Sequence, residues 1–442
     1  MLTQATPNCP SRRGPPWGRS DPHTIPRLPI VTDSESAAKW ERAGTILFGL
    51  LLLVGLVITM DRATCYKTLD LRGFCAAGQY VLEHGTRDPA SNLGRYWPSA
   101  DVPWIFFAQM PFVLAALVWY LVGCATWLGL LQSIQRSILG DVEPVRRRRI
   151  LLASGLLAMP LAVDGLCLGA FHVLMVWLML EGLHRACQGR AGAGGLLLGL
   201  AVWVKLLPLL GVAFLVLHGK IKAATIAIVV AIGLDVTLSV AAFGPETAWQ
   251  EHLRWWEQAA TGTTIRQLTS PFHEDEDRLT NQSVAITLRR FFSTLGNTPD
   301  SPRRFVTIAH LRGEQLEQLF VAVTALLASA LVFFCRPIRC GPNNLHAPAQ
   351  IAMAILATLW LSPVMWSYHL TAATPALAII LKRYWGRRCG RIAVIVWLAC
   401  LCLLAFPIAR AAGVLLWLSL ATGALLAWPV HPSGARPVSE PV

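Results

Sequence analysis

The sequence predicts an all-α polytopic membrane protein, on three observations. Of its 442 residues, 54% are hydrophobic and only 14% charged. The mean hydropathy is +0.51. Nearly uncharged runs recur along the chain (Ala43–Met60, Val102–Gln135, Ala223–Leu234, Leu319–Cys335, Ile392–Ala409), approaching or exceeding the roughly 20 residues that a bilayer requires. This composition excludes a soluble globule.

The formal charge of +13 would suit a nucleic-acid partner until the charges are placed along the chain. The stretch Asp61 to Asp101 holds five basic and five acidic residues, and Gly244 to Gln315 holds eight and nine, so neither adds appreciable positive charge. The excess sits in the N-terminal segment and in short connections: Arg146 to Arg149, Arg185 with Arg190, Lys220 with Lys222, Arg336 with Arg339, and Lys382 to Arg391. By the positive-inside rule these face the cytoplasm, and the two long near-neutral loops, about 61–102 and 244–315, lie outside. The expected localisation is a bacterial plasma membrane, with both termini cytoplasmic, the bilayer as partner and no nucleic acid.

Residues 1–42 are Pro-rich and basic, with no cleavable signal peptide, and read as a disordered cytoplasmic tail. Residues 43–430 form the membrane domain, and 431–442 form a short cytoplasmic tail. After the first span, the segment from Asp70 places Leu71, Phe74, Cys75, Gly78, Val81 and Leu82 at helical spacing, with Arg72, Gln79 and Glu83 between them. That pattern predicts an amphipathic helix in the membrane interface. Arg95, Tyr96, Trp97 and Pro98 then lead through a second amphipathic approach into the second span. The run Ile150 to Leu180 is too long for one helix and reads as two spans meeting outside at Asp164.

The stretch GGLLLGLAVWVKLLPLLGVAFLVLHGK has basic residues on both flanks, Arg190 and Lys220, and both belong inside. A single span cannot satisfy that, whereas two short helices hinged near Lys205 and Pro208 can. Each arm of about 12 residues rises about 18 Å. Asp235 lies at a similar height in the next span, which predicts a Lys205–Asp235 ion pair. The second outer loop carries the Trp-rich WQEHLRWW and then TNQSVAITLRRFF, in which Val284, Leu288 and Phe291 share a helical face. Spans near 316–335, 349–364, 367–381, 392–409 and 411–428 complete about twelve membrane segments.

The cysteines show no metal-type pair of pairs. Cys65 and Cys75 share an outer loop and are either bridged or free. Asp275, Glu276 and Asp277 spell the D-x-D that nucleotide-sugar enzymes use for a cation, but within a run of four acids they read as a solvated loop.

Four polar elements fall on the outer side by this topology: Asp70; the approach through Tyr96; Asn281, Gln282 and Ser283; and Trp366 to His369. Lys205 points toward them from the hairpin. Each has a plain structural alternative: Asp70 or Asn281 as a helix cap, His369 as a satisfied interfacial imidazole, and the aromatics as belt residues.

In their order along the chain, GGLLLGLAVWVKLLP, NQSVAITLRRF and LSPVMWSYHL, behind an aspartate after the first span and a Tyr-x-Pro approach, resemble glycosyltransferase family 87. The resemblance implies a GT-C-type fold and sugar transfer, with mannose expected, from a polyprenyl-phosphate donor to a glycolipid or cell-envelope acceptor at the outer face. It implies Asp70 as the catalytic aspartate, Lys205 as the family's lysine, Asn281 to Ser283 as its N-Q-S, and His369 as the second member of its usual His-His pair. Two departures stand out. Tyr368 replaces the first histidine, and Gly169, Ala170, Phe171 and His172 stand where relatives often have G-Q-x-N.

The chemistry agrees with these residue types. A sugar on a polyprenyl monophosphate needs a base for the acceptor hydroxyl and cations for the leaving phosphate. Asp70 supplies the first. Lys205, His369, Arg289 and Arg290 supply the second, while Trp366 and Tyr368 offer faces for sugar or prenyl packing. No metal is expected when side chains carry the charge. The competing class is a transporter or lipid flippase with Lys205, Asp235 and Asp164 along its path.

Overall fold

The computed structural model describes residues 34–65, 70–88, 96–260, 280–293, 306–337 and 346–428. The tail residues 1–33 and 431–442, Arg95 and the acidic triplet 275–277 lie outside the described residues. Residues 41–442 group as one unit; of the other, Met1–Trp40, only the start of the first helix is described.

All regular structure among the described residues is helical. The first half comprises α1 (Ser34–Thr64), α2 (Asp70–His84), α3 (Val102–Ala108), α4 (Phe112–Ser137), α5 (Pro144–Leu168), α6 (His172–Cys187), α7 (Ala191–Val204), α8 (Leu209–Leu217), α9 (Ile221–Phe243) and α10 (Pro245–Ala260). After α11 (Val284–Phe292) come α12 (Gly313–Cys335), α13 (His346–Trp360), α14 (Thr374–Tyr384), α15 (Arg388–Leu403), α16 (Pro407–Ala411) and α17 (Val414–Ala427), with 3₁₀ turns at Pro98–Asp101 and Ser367–Ala373. Among the described residues, five helices, α1, α4, α5, α9 and α12, are long and apolar enough to cross a membrane. α1 begins at Ser34, so the segment read as tail up to residue 42 is helical in its last part.

The hairpin forms as the flanking charges require. α7 ends at Lys205, which is extended (φ −158°, ψ 142°), and α8 restarts after Pro208. Glycines set the directions. A Cβ at Gly182 of α6 would meet Leu198, and one at Gly194 would meet Ala186, so α6 and α7 are antiparallel. Gly195 and Gly199 approach the carbonyls of Ala223 and Ala227, so α7 and α9 run parallel at close range. Gly211 of α8 faces Leu198, halfway back down α7, so the chain returns to the end where it started. Small residues at such crossings let backbones approach, which is how apolar helices associate without a hydrophobic driving force.

The break expected at Asp164 lies five residues later. α5 continues through Asp164 and ends at Gly169, whose φ of +78° only glycine adopts cheaply. The Ala170 N–H bonds the Gly165 carbonyl (2.9 Å) and the Trp119 indole caps the Gly169 carbonyl (2.8 Å). A charge in a span marks a polar environment, whereas a helix ends where its carbonyls find other donors.

The segments between spans build one end of the unit. α2 buries Leu71, Phe74, Cys75, Ala77, Gly78 and Val81 against α3, with Phe74 stacked on Trp104 (centroids 4.7 Å). Leu82, read as part of this face, is exposed. α10 keeps Trp249, Leu253 and Trp256 exposed while Trp255 stacks on Trp97 (5.0 Å). α11 departs from an interfacial helix: Arg289 and Arg290 are buried along with Val284, Ala285 and Ile286, while Leu288, Phe291 and Phe292 are half-buried. Cys65 and Cys75 are free thiols.

Candidate active site

Asp70 opens α2 immediately after the first span, and its Oδ2 accepts a hydrogen bond from the Tyr368 hydroxyl at 3.3 Å. The residue is exposed, yet the protein bulk around its carboxyl raises the pKa above the ordinary aspartate value. The Tyr368 bond and the Lys205 charge oppose that rise, and Asp164 adds to it. Asp164 itself accepts a hydrogen bond from the Ser367 hydroxyl. Two carboxylates from different elements therefore meet on the 3₁₀ turn Ser367–Ala373.

That turn also carries His369. Its Nδ1 accepts the Trp366 backbone N–H (3.1 Å), so the ring proton sits on Nε2. Nε2 lies 3.5 Å from Lys205 Nζ. An imidazole N–H and an ammonium do not satisfy one another; both are donors converging on a position suited to an anionic oxygen. His172, at the start of α6, tilts against His369 (centroids 4.6 Å) and lies near Tyr368 (6.5 Å). It is 3% exposed, with both ring nitrogens unbonded among the described residues. Tyr368 stands where the expected His-His pair has its first member, and the histidine packed on His369 comes from α6 instead.

An aromatic pocket of about 110 Å³ adjoins this cluster, lined by residues that include Phe74, Tyr96, Trp104, Trp119, Phe171 and Trp203. Tyr96 meets Phe74 and Phe171 edge-on. Phe171 precedes His172 in sequence, and Trp203 stands two residues before Lys205, so the apolar pocket and the polar cluster share their supports.

Asn281, Gln282 and Ser283 are fully buried and act as a clamp. Asn281 Oδ1 accepts the N–H groups of Ser283 (3.2 Å) and Met365 (3.0 Å), and the Gln282 N–H bonds the Met365 carbonyl (2.8 Å). Gln282 Oε1 accepts the Leu415 N–H (2.7 Å), and Ser283 caps α11. These bonds fix the turn that leads to Trp366 and His369. Trp366 is half-buried and contributes its backbone to His369. Arg290 donates to the Arg410 carbonyl (3.4 Å) and Arg289 is buried on the same helix; the charges acting on Asp70 are Lys205 and Asp164.

The Lys205–Asp235 pair does not form. Asp235 Oδ1 accepts the Ser99 N–H (3.0 Å), and its Oδ2 bonds His252 Nε2 (2.7 Å). The Trp203 indole in turn donates to the Ser99 hydroxyl (2.8 Å), and the Trp97 indole to the Val202 carbonyl (2.9 Å). Height along the two helices was legible in the sequence, but α9 turns its acid toward the 3₁₀ turn Pro98–Asp101 and α10. Asp235 thus supports the hairpin tip through Ser99 and Trp203.

His172 and Asp164 are the site residues that sequence reasoning did not place here. The signal for His172 was the altered turn Gly169 to His172. For Asp164 it was a lone acid near the outer end of a span.

A helical membrane bundle that gathers carboxylates, a lysine and histidines at one end, beside an aromatic pocket, has the makings of a membrane-enzyme active site. The family model of glycosyltransferase family 87 matches residues 96–363, well over half of the chain, and the chain belongs to that family. It is therefore a membrane glycosyltransferase, which sets aside the transporter reading. No curated protein and no solved structure matches the chain. The matched segment includes Tyr96, Asp164, His172, Lys205 and Asn281 to Ser283; Asp70 and His369 flank it, and their place in the site comes from the contacts above.

Proposed function

We propose that this chain transfers a hexose, with mannose the first to test, from a polyprenyl-phosphate sugar to a glycolipid or cell-envelope acceptor, inverting the anomeric centre. The observation that carries the reading is the pairing of one carboxylate with one double-donor cluster across a single turn. Asp70 is bridged by Tyr368, and the adjacent His369 meets Lys205. In this reaction the acceptor hydroxyl gives its proton to Asp70 as its oxygen bonds the anomeric carbon. The bond from that carbon to the phosphate oxygen breaks, and the lipid phosphate leaves with its electron pair, its charge received by Lys205 Nζ and the His369 Nε2–H. The aromatic pocket offers sugar-stacking or prenyl-packing faces. Side chains carry the charge, so the scheme invokes no metal.

The proposal includes a GT-C-type architecture with the site at the outer face of a bacterial plasma membrane and both termini inside. The proposal takes α1, α4 to α9, α12 to α15 and α17 as its twelve membrane segments, of which α1, α4, α5, α9 and α12 are long and apolar enough to cross singly. The basic connection Arg146 to Arg149 then lies at the end of α5 opposite Asp164.

The test is transfer of radiolabelled mannose from polyprenyl-phosphate mannose to a membrane extract by the purified chain. Asp70→Asn is expected to reduce the rate by about 10²–10⁴-fold. Undiminished transfer by that variant refutes Asp70 as the base. Absence of transfer by the wild type from every polyprenyl-phosphate sugar refutes the donor class.

A further inference from the structure

A second site lies at the other end of α5. α1 touches α5 at Gly44, where a Cβ would stand 2.5 Å from Leu152 Cδ2, and is pinned again where the Tyr120 hydroxyl of α4 donates to the Leu52 carbonyl (2.5 Å). Residues of α1, α4 and α5 near these contacts line a groove of about 710 Å³ at the basic end of the bundle. Its apolar lining includes Phe48, Leu128 and the buried Leu131, and its polar lining Arg42, Arg148 and Gln132.

The arginine run at the start of α5 divides its work. Arg146 donates to the Lys382 carbonyl (2.9 Å), Arg147 to the Val142 carbonyl (2.8 Å), and Arg149 pairs with Glu41 (3.1 Å). Arg148 lines the groove. Because Arg149 neutralises Glu41, the acid in the lining does not repel an anion, and Arg42 with Arg148 leaves two positive charges beside an apolar slot. The volume lies within the ~300–1,000 Å³ of ligand pockets. Arg148 and Asp164 are about 24 Å apart along α5, so this groove opens at the opposite end from the candidate active site.

We propose that the groove binds one anionic phospholipid of the leaflet at this end, its phosphate between Arg42 and Arg148 and an acyl chain against Phe48 and Leu131. Basic pockets between membrane helices on the cytoplasmic side recognise anionic head groups in this way. A free phosphate would leave the apolar lining unused, and a zwitterionic lipid would bring its own cation to the two guanidinium groups. The inference is independent of the transfer reaction.

The test uses the full chain in phosphatidylcholine nanodiscs, titrated with phosphatidylglycerol and read by native mass spectrometry and thermal midpoint. Bound lipid is expected to raise the midpoint, since a ligand of the native state stabilises it. Arg42→Gln with Arg148→Gln should weaken phosphatidylglycerol retention at least tenfold. Arg388→Gln with Arg391→Gln, two exposed arginines of the same basic end, should not. Leu128→Trp, which fills the slot and keeps both charges, should also abolish retention, so the proposal stays testable if the arginine variant does not fold. Equal loss in the two arginine pairs, retention by Leu128→Trp, equal stabilisation by added phosphatidylcholine, or equal protection by inorganic phosphate overturns it.

Discussion

Gly78 is where α2, the helix that begins with Asp70, crosses α3. A methyl group there would sit 2.3 Å from the Trp104 carbonyl carbon and 2.5 Å from its oxygen, against an ordinary contact of 3.4 Å or more. The obstacle is backbone, which no rotamer change relieves, so Gly78→Ala requires α2 to retreat from α3 by about 1 Å. Overpacking of this kind costs about 1–3 kcal/mol. The retreat also carries Asp70 away from Tyr368, to which it is joined at only 3.3 Å. Displacements of that size at a reacting group cost about 10²-fold in rate. Initial rates of mannose transfer from polyprenyl-phosphate mannose, with size-exclusion profiles to verify assembly, should show that loss for Gly78→Ala. Gly73 provides the control: it is exposed on the same helix, and a methyl group added there would meet nothing within 4 Å, so Gly73→Ala should keep full activity and gain up to about 1 kcal/mol of helix stability. Equal rates for the two variants would refute the argument that α2 seating sets the position of Asp70.

The base proposed here, Asp70, would work deprotonated, and its carboxyl is held above the usual aspartate range by its surroundings, so kcat/KM should begin to fall with decreasing pH earlier than an ordinary aspartate allows. The Tyr368 hydroxyl favours the carboxylate, so Tyr368→Phe should move this acid limb to higher pH; an unmoved or lowered limb in the pH–rate profile refutes the assignment. Gln282→Leu strands the buried Leu415 N–H at a cost of about 1–3 kcal/mol, to be seen as a lower thermal midpoint with kcat per folded molecule retained. A kcat loss at unchanged stability would assign Gln282 to substrate instead of the clamp.

The α7–α8 hairpin was legible because it follows from two local quantities, the sign of the flanking charges and a proline beside a lone lysine. The buried face of α2 was legible for the same kind of reason, since periodicity is a property of consecutive residues; Leu82 strays only at its edge. The end of α5 was misplaced because the eye goes to Asp164, while the chain ends its helix where Gly169 can adopt a positive φ. Asn281 to Ser283 was legible as a motif, but its partners, Met365 and Leu415, lie 84 and 133 residues from the groups that bind them.

By itself, then, the sequence determined the helical membrane class, the hairpin at Lys205, the height of Lys205 and Asp235, and the glycosyltransferase family. Only the tertiary structure decided which of these meet. Height along a helix follows from counting residues, but the direction in which a side chain leaves the axis matters only relative to neighbours, and those are chosen by glycine crossings such as Gly195 and Gly199. That choice turned Asp235 toward Ser99 and His252, and it brought His172 from α6 against His369 beside Lys205 and Asp70.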